Sequence, residues 1–464
     1  MQKINLPVYP AYLNIDIKSI TNDNPKLYIE TYGCQMNVND SEIVVAILQQ
    51  HGFQLTENIK EADTILINTC SIRDNAEQRV RGRLDVFMQL KKKRPALVVG
   101  VIGCMAERLK EKLLEEEKII DLIAGPDSYR DLPGLLSSVG EGQKAANVLL
   151  SREETYADIN PVRLDANKVS AFISIMRGCN NMCAYCVVPY TRGAERSRDP
   201  QTIIREAMEV VEAGYHEITL LGQNVNSYFW KDENGGKINF SKLLEIVAEV
   251  SPVLRIRFAT SHPKDISDEL LFTIARFPNI CKSIHLPAQS GSSGTLKLMK
   301  RKYNREHYLE RIHAIKTIIP DCSISTDLIT GFCGETEEDH NDTLTMMQES
   351  GFDFAYMFKY SERSGTYAAR HLKDDVAEEV KSRRLTEIIN LQSKLSSNSK
   401  KNDVGKVFEV LVEGVSKKSD DEMFGRTSQN KVVVFPKLNL NIGDYVYVEI
   451  TGYTSATLKG TVKN

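Results

Sequence analysis

The chain has 464 residues, which is enough for about three domains of ordinary size. With 42% hydrophobic and 26% charged residues it has the composition of a globular protein, and no apolar run reaches the ~18 residues of a membrane helix. The net charge of −3 excludes a uniformly basic nucleic-acid-coating protein. Nine cysteines, with no secretory signal over residues 1–20, predict a cytoplasmic protein with reduced thiols used for metal binding or catalysis.

The first predicted elements alternate between strands and helices. Strands are predicted at 26–32, 64–68, 96–102 and 121–124, and helices at 41–50, 75–93 and 106–118. Such alternation predicts a parallel α/β domain of flavodoxin or Rossmann-like type, with helices on both faces of the sheet. A polar, weakly periodic linker is predicted to follow at 140–168.

Three cysteines of this first domain share one structural position. Cys34, Cys70 and Cys104 each follow a predicted strand, and ligands of open parallel sheets bind at that carboxyl end. Gly33 and Gly103 would let the backbone approach a bulky ligand. We therefore interpret the three thiols as a candidate cluster site. The alternative is that buried cysteines end these strands by chance.

A second run of strands and helices begins after the linker. Strands are predicted at 171–176, 217–221, 255–259, 283–286, 323–329 and 354–358, with helices such as 200–213 and 304–319 between them. Six repeats predict a partial (β/α)6 barrel that is open on one side. Function is then expected at the carboxyl ends of the strands.

The first barrel strand leads into Cys179, Cys183 and Cys186, spaced C-x3-C-x2-C. A tetrahedral zinc site or a ferredoxin cluster takes four ligands. Three thiolates instead suit a four-iron cluster with one iron left open, and an open iron can bind a substrate or cofactor. A structural metal knuckle or a chance group of core cysteines is the alternative interpretation.

The end of the chain differs in composition from the barrel. A charged helix is predicted at 376–396, and the segment 404–463, rich in Val, Ile, Thr and Tyr, predicts a small antiparallel β-barrel of about five strands. Barrels of this size often bind RNA. Candidate phosphate contacts, or alternatively plain solvated residues, are Lys417, Lys418, Arg426 and Lys431. Two basic runs, 79–94 and 297–305, could also bind nucleic acid, although solvated helix faces are the simpler interpretation.

The C-x3-C-x2-C motif with Tyr185 before its last cysteine resembles the radical S-adenosylmethionine (SAM) superfamily. This implies a 4Fe-4S cluster on the three cysteines whose open iron chelates SAM, and reductive cleavage of SAM to a 5′-deoxyadenosyl radical. The turn after the strand at 217–221 stands where the superfamily carries a Gly-Gly-Glu-like turn, but it lacks a carboxylate. Candidate SAM-binding residues are Tyr185, Gly222, Gln223, Asn224, Gln289, Ser290, Arg192 and Arg198, the two arginines being alternatively candidates for RNA phosphate.

Longer strings resemble the methylthiotransferase family, MiaB type, from about residue 26 to the end. They are Tyr32-Gly-Cys-Gln-Met-Asn, Asn68-Thr-Cys-Ser-Ile-Arg, Ser174-Ile-Met-Arg-Gly-Cys, Cys186-Val-Val-Pro-Tyr-Thr-Arg-Gly, Leu221-Gly-Gln-Asn-Val-Asn and Thr260-Ser-His-Pro. The resemblance implies an N-terminal methylthiotransferase domain at 26–142, a radical SAM domain at 165–397 and a TRAM domain at 400–463.

The resemblance also implies an activity. Enzymes of this type add a methylthio group to C2 of N6-isopentenyladenosine at tRNA position 37, next to the anticodon. They use SAM twice, first to methylate a sulfur on an auxiliary 4Fe-4S cluster, here on Cys34, Cys70 and Cys104, and then to generate the radical. The implied partners are a tRNA anticodon stem-loop carrying isopentenyladenosine, a flavodoxin-type electron donor and a sulfur donor system. We expect the protein to be a monomer that does not contact a membrane.

Other activities are compatible with the same cysteines. Related enzymes modify threonylcarbamoyladenosine in tRNA or an aspartate of a ribosomal protein. A non-catalytic iron–sulfur protein that binds RNA or senses redox state would be expected to carry a fourth cysteine at each cluster, and a zinc-bound structural protein would need paired knuckles. The sequence shows neither pattern.

Overall fold

The computed structural model describes residues 24–70, 74–165 and 167–463. The chain forms two compact units, the first ending at Ser151 and the second beginning at Arg152. No helix within the described ranges is both long and apolar enough to cross a membrane. Residues 71–73, which follow Cys70 in one of the family-like strings, lie outside the described residues.

The first unit is a parallel sheet with helices packed on it. Its strands are β1 (Lys26–Tyr32), β2 (Gln54–Leu55), β3 (Thr64–Thr69), β4 (Val98–Ile102), β5 (Leu122–Ala124) and β6 (Ala145–Asn147). Its helices are α1 (Gln35–Gln50), α2 (Asp74–Lys93), α3 (Cys104–Leu109), α4 (Glu111–Glu116) and α5 (Leu132–Gly140). The strand order is β2-β1-β3-β4-β5-β6 and every neighbouring pair is parallel. This is the flavodoxin-like order extended by one strand, which confirms the predicted α/β class.

Two strands and one helix break of this unit were not predicted. The sequence predicts four strands where the described residues form six, because β2 and β6 have only two and three residues and show no usable alternation. Strand β6 lies inside the segment predicted as a linker. The helix predicted at 106–118 is interrupted at Lys110, whose positive φ of 52° ends α3 and begins α4. The predicted boundaries of the three domains remain predictions.

The second unit contains the predicted partial barrel. Its strands are β7 (Ser170–Ser174), β8 (Met176–Arg177), β9 (Arg196–Ser197), β10 (Glu217–Leu221), β11 (Phe229–Lys231), β12 (Lys237–Asn239), β13 (Arg255–Phe258), β14 (Ser283–His285), β15 (Ser323–Thr330) and β16 (Phe354–Lys359). Its helices are α6 (Val188–Arg192), α7 (Pro200–Glu212), α8 (Phe240–Ala248), α9 (Asp268–Arg276), α10 (Ser293–Leu298), α11 (Arg305–Ile318), α12 (Glu337–Ser350), α13 (Tyr367–His371) and α14 (Glu378–Lys401).

Six of these strands form the barrel wall. Parallel strands pair in the orders β13-β10-β7 and β14-β15-β16, and a bridge from Ile256 to Ile280 continues the wall between the two groups. Alternate residues such as Ile218, Ile284 and Leu328 are fully buried in one core together with apolar residues of the surrounding helices. The intervening residues of the same strands point to the opposite face of the wall. The predicted (β/α)6 architecture is confirmed.

The last segment folds into a small closed barrel. Its strands are β17 (Val407–Val415), β18 (Glu422–Thr427), β19 (Val432–Pro436), β20 (Tyr445–Tyr453) and β21 (Leu458–Val462). They close in the order β17-β18-β19-β21-β20. The predicted small barrel of about five strands is confirmed, and its pairs are antiparallel with one exception. Strand β21 inserts between β19 and β20 to close the barrel, and it runs parallel to β19, so the barrel is mixed.

The loop between β18 and β19 fixes the small barrel to the amino ends of the large barrel's strands. Arg257 donates to the carbonyls of Thr427 (2.8 Å) and Ser428 (3.3 Å). Lys431 pairs with Asp353, the residue just before β16, at 3.1 Å. Lys431 is therefore engaged within the protein, whereas the sequence suggested a phosphate contact or a solvated residue.

Candidate active site

The first cysteine triplet lies on one edge of the parallel sheet. Cys34, Cys70 and Cys104 directly follow β1, β3 and β4, which are neighbours in the sheet. Cys34 is exposed, while Cys70 and Cys104 are buried. In the flavodoxin-like order the crevice between β1 and β3 is the ligand-binding switch point. The order of the strands thus brings the three strand ends to the same edge, as predicted.

Two buried asparagines tie the three cysteine loops together. The Cys34 thiol donates to Asn37 Oδ1 at 3.1 Å, and Asn37 Nδ2 donates to Asn68 Oδ1 at 2.9 Å. Gly103, with φ of 89°, approaches so closely that a Cβ there would lie 2.4 Å from Asn68 Oδ1. Both asparagines stand in the family-like strings, but their spacing in the sequence indicated no role for them. Their effect is to fix the loops on which the thiols sit.

A buried carboxylate stands one helical turn after Cys104. Glu107 is 1% exposed, and neither of its side-chain oxygens has a hydrogen-bond partner among the described residues. Burial raises the pKa of Glu107 to about 7, against the opposing effect of Lys110 at 3.8 Å. This carboxyl group is thus partly protonated at neutral pH.

The second triplet sits on a loop whose backbone is tightly constrained. Gly178 has φ of 76°, and a Cβ there would lie 2.0 Å from the carbonyl oxygen of Ala194, so only glycine fits. Cys179 N–H donates to Gly193 O at 3.1 Å, and Cys186 N–H donates to Cys183 O at 3.1 Å. The loop therefore presents the three cysteines from a fixed backbone.

Each thiol of this triplet receives a hydrogen bond. Asn181 N–H donates to Cys179 Sγ and Val188 N–H to Cys186 Sγ, both at 3.4 Å, while Arg301 Nη1 lies 3.2 Å from Cys183 Sγ. Burial raises the pKa of the Cys186 thiol to about 12 and also raises that of Cys179. Such thiols are poor nucleophiles on their own, whereas a bound metal would deprotonate them.

Donors aimed at sulfur suit thiolates that carry the negative charge of an iron–sulfur cluster, so the residues fit the cluster that the motif implies. In the part of the chain that the structure describes, no group of three or more His, Cys, Asp or Glu side chains is arranged to hold a metal ion. The ligand assignments of both triplets remain predictions.

Arg301 is the site residue that the sequence did not reveal. It belongs to the basic run predicted as a solvated face or nucleic-acid contact, yet it is partly buried and its guanidinium contacts protein groups. Besides Cys183 it contacts Tyr185 Oη (3.5 Å), Pro287 O (3.2 Å) and Tyr303 Oη (3.0 Å). The guanidinium therefore links the cysteine loop to the carboxyl end of β14.

The Gly222-Gln-Asn turn after β10 has the features expected of a ligand contact. A Cβ on Gly222 would lie 2.4 Å from the Met176 side chain, so the turn can pass close to the cysteine-loop strand only with glycine. Gln223 Oε1 and Asn224 Oδ1 are buried, and within the described residues neither accepts a hydrogen bond. Two buried acceptors without donors fit a ligand that carries N–H groups, such as the amino group of SAM.

The remaining predicted SAM contacts fall into two groups. Gln289 has φ of 70°. Its backbone N–H donates to Asp327 O of β15, and its carbonyl accepts from Ile329 N–H of the same strand. Ser290 Oγ lies 3.4 Å from Thr343 Oγ1. Both residues are at the carboxyl rim, and a role in binding SAM stays a prediction for each.

The two predicted arginines are both buried. Arg192 ends α6 and is 3% exposed. Arg198 is ion-paired with Glu206 and donates to Ser174 O at 3.2 Å and to Thr202 O at 3.2 Å. These contacts give Arg198 a role in joining β7 to α7, and its predicted contact with SAM or phosphate remains untested.

His262, in the Thr260-Ser-His-Pro string, is a further rim residue. Its backbone is locked by two hydrogen bonds with the Asn226 amide, of 2.8 and 2.9 Å. Burial and then Arg301 lower the pKa of His262 to about 2, so the ring is neutral. Because Nδ1 accepts from Lys264 N–H at 3.2 Å, the ring proton is on Nε2.

Comparisons with known proteins follow this division of the chain. Residues 26–125 match the family described as uncharacterized protein family UPF0004, residues 173–347 the radical SAM superfamily, and residues 401–463 the TRAM domain. The tRNA-2-methylthio-N(6)-dimethylallyladenosine synthase of Bacteroides fragilis is 58% identical over 446 residues, covering 96% of this chain and 97% of that protein. The synthase of Amoebophilus asiaticus is 60% identical over 447 residues, covering 94% and 92%.

The chain belongs to the tRNA-2-methylthio-N(6)-dimethylallyladenosine synthase family. The resemblance drawn from the motifs is thereby confirmed. Membership of this family, with its radical SAM domain, implies a 4Fe-4S cluster and SAM as cofactors.

Among solved structures, the radical SAM methyltransferase TsrM of Kitasatospora setae aligns with a TM-score of 0.55 at 11% identity, covering 72% of this chain and 73% of that one. That likeness concerns the fold alone.

Proposed function

We propose that the protein adds a methylthio group to C2 of N6-isopentenyladenosine at position 37 of tRNA. The observation that carries the proposal is the identity of 58–60% with synthases of this name over nearly the whole of both chains. Their name specifies the product, a 2-methylthio-N6-dimethylallyladenosine in tRNA. The TRAM domain match at the carboxyl end supports an RNA substrate.

In this proposal each cysteine triplet holds one cluster. Cys179, Cys183 and Cys186 would hold the radical SAM cluster, and Cys34, Cys70 and Cys104 an auxiliary 4Fe-4S cluster. When bound, these groups and SAM supply the radical and the sulfur. The flavodoxin-like sheet edge and the N–H donors around the second triplet support the assignment.

The surrounding residues have supporting tasks. Arg301 would orient the Cys183 thiolate and hold Tyr185 beside it. Gln223 and Asn224 would accept hydrogen bonds from the amino group of SAM. Neutral His262 would donate from Nε2 and could not serve as a base at neutral pH, since its pKa is about 2. A flavodoxin-type donor and a sulfur donor system complete the proposed set of partners.

The test uses anaerobically reconstituted protein, SAM and an isopentenylated anticodon stem-loop. The parent should hold about eight irons, as two four-iron clusters, and should yield the methylthiolated nucleoside by mass spectrometry. Cys179→Ala should abolish formation of 5′-deoxyadenosine. Cys70→Ala should retain much of it while yielding no methylthiolated product. Cys322→Ala, a cysteine outside both triplets, is the matched control and should resemble the parent.

Two outcomes would contradict the proposal. Equal methylthiolation by the Cys70 variant would remove the auxiliary role from the first triplet. A parent that modifies only threonylcarbamoyladenosine, or only an aspartate of a ribosomal protein, would show a different substrate for the same chemistry.

A further inference from the structure

Three aromatic side chains stand exposed on one strand of the large barrel. Phe354, Tyr356 and Phe358 of β16 are 49%, 47% and 40% exposed. The intervening Ala355 is buried in the core beneath the helices. Within the described residues β16 pairs only with β15, so it is an edge strand. We call these three residues the aromatic strip.

Such an edge is costly unless it has a function. A contiguous apolar patch on an edge strand invites aggregation, and proteins normally blunt such strands with charge or proline. The strip itself contains neither, and the one charged residue of β16, Lys359 at its carboxyl end, is ion-paired with Glu378. Scattered exposed aromatics need no explanation, but three on the same face of one strand indicate a binding surface.

The neighbouring residues of this face are hydrogen-bonding groups. In the strand register Ser325 is opposite Phe354, and Asp327 is opposite Tyr356. His285 of β14 lies edge-on to Tyr356, with ring centroids 5.9 Å apart, and its Nδ1 is 3.0 Å from Ser325 Oγ. His285 Nε2 lies 3.4 Å from Asp327 Oδ1. Flat rings beside polar groups are the combination that binds unstacked nucleobases.

The strip lies between two functional regions of the second unit. At its amino end, Asp353 is paired with Lys431 of the small barrel. At its carboxyl end, Tyr360 packs on Phe332 (5.0 Å), and Phe332 packs on Tyr185 within the cysteine motif (6.3 Å). A strand of six residues spans about 20 Å. The strip therefore connects the region next to the small barrel with the region next to the second triplet.

We propose that the aromatic strip stacks unpaired bases of the substrate RNA loop that flank the reacting base. This inference rests on the proposed function, because it assumes an RNA loop as substrate. The strip then positions the RNA and takes no part in the chemistry itself.

The experiment measures the dissociation constant of an isopentenylated anticodon stem-loop by fluorescence anisotropy. Alanine at Phe354, Tyr356 or Phe358 is expected to weaken binding about ten-fold per stacked ring. Tyr356→Phe keeps the ring and should preserve affinity. The control is Phe272→Ala on α9, which removes an aromatic that is 61% exposed elsewhere. SAM cleavage without RNA should be unchanged in all of these variants.

A second arm identifies what the rings touch. Replacing a flanking loop base by an abasic nucleotide should weaken binding to the parent but have little further effect on the matching alanine variant. Additive losses for every pairing, or parent-like affinity in all three alanine variants, would overturn the inference. Slower reduction by a flavodoxin-type donor with unchanged RNA affinity would also overturn it, since the strip would then be a protein-docking face.

The experiments distinguish an error in the role of the aromatic strip from an error in the proposed function. If the parent methylthiolates the RNA and the variants bind normally, only the strip is excluded. If the parent forms no methylthiolated nucleoside, the proposed function itself falls.

Discussion

Replacing Arg301 by glutamine should make the radical SAM cluster harder to reduce. The guanidinium lies 3.2 Å from Cys183 Sγ in a partly buried contact. With the cluster held by Cys183 as proposed, the positive charge of Arg301 would stabilise the reduced cluster, which carries one more negative charge than the oxidised one. At an effective dielectric constant of about 20, unit charges 3.2 Å apart interact by about 5 kcal/mol.

The added electron is spread over the cluster beyond the sulfur, so that figure is an upper bound. A range of about 1–5 kcal/mol corresponds to a midpoint potential lower by about 50–200 mV, at 59 mV per ten-fold change for one electron. Arg301→Lys keeps the charge but loses the planar fork, so its shift should be smaller.

The assay is a redox titration of the reduced-cluster EPR signal. A background with alanine at Cys34, Cys70 and Cys104 leaves the second triplet alone to hold a cluster. Arg305→Gln is the matched control, since that arginine donates to Gly291 O and pairs with Glu349 without reaching a cysteine. A fully iron-loaded Arg301→Gln variant with the potential of its parent would refute the argument. If glutamine prevents cluster assembly, the lysine variant decides instead.

Two further predictions concern stability and are measured by denaturant unfolding. Arg257→Met leaves Glu217 buried without its partner and should cost about 3–5 kcal/mol. The exposed Arg276→Met should cost under about 1 kcal/mol, and equal losses would exclude a special role for Arg257. Since folding raises the pKa of Glu107 from 4.5 to about 7, the folded state binds the extra proton and stability falls as pH rises through this window. Glu107→Gln should therefore be more stable than the parent at pH 8, by up to about 3 kcal/mol, and similar to it at pH 4.5; a pH-independent difference would exclude burial of this carboxyl group as the cause.

Sequence patterns located most of the large elements because the core is regular. Strands β1 and β10 were predicted to the residue. For β10 the reason is a buried, mostly apolar run that is bounded by turn residues. Very short strands such as β6 are not predicted in this way, because they contain too few residues to form a pattern. The three residues of β6 gain their structure by pairing with β5, which nothing local encodes.

The site was predictable where it depends on local spacing and not where it depends on distant contacts. The cysteine triplets were identified from spacing and from their position after strands. Arg301 reaches Cys183 across 118 residues of sequence, so its basic neighbours suggested a surface instead. The Asn37–Asn68 hydrogen bond, across 31 residues, was equally invisible. Such partners are set by the topology of the sheets.

The loop between β18 and β19 has a consequence for protein engineering. Arg257 donates to the backbone carbonyls of this loop, and Lys431 is paired with Asp353. The small barrel is therefore docked on the large barrel and is not a flexibly linked domain. RNA contacts made by the small barrel therefore do not require the ordering of a flexible domain, which would lower the affinity. A chimera that exchanged this barrel for a homologous one would have to retain that loop. Without it the new barrel would be flexibly linked, and RNA binding would carry the entropic cost of ordering it.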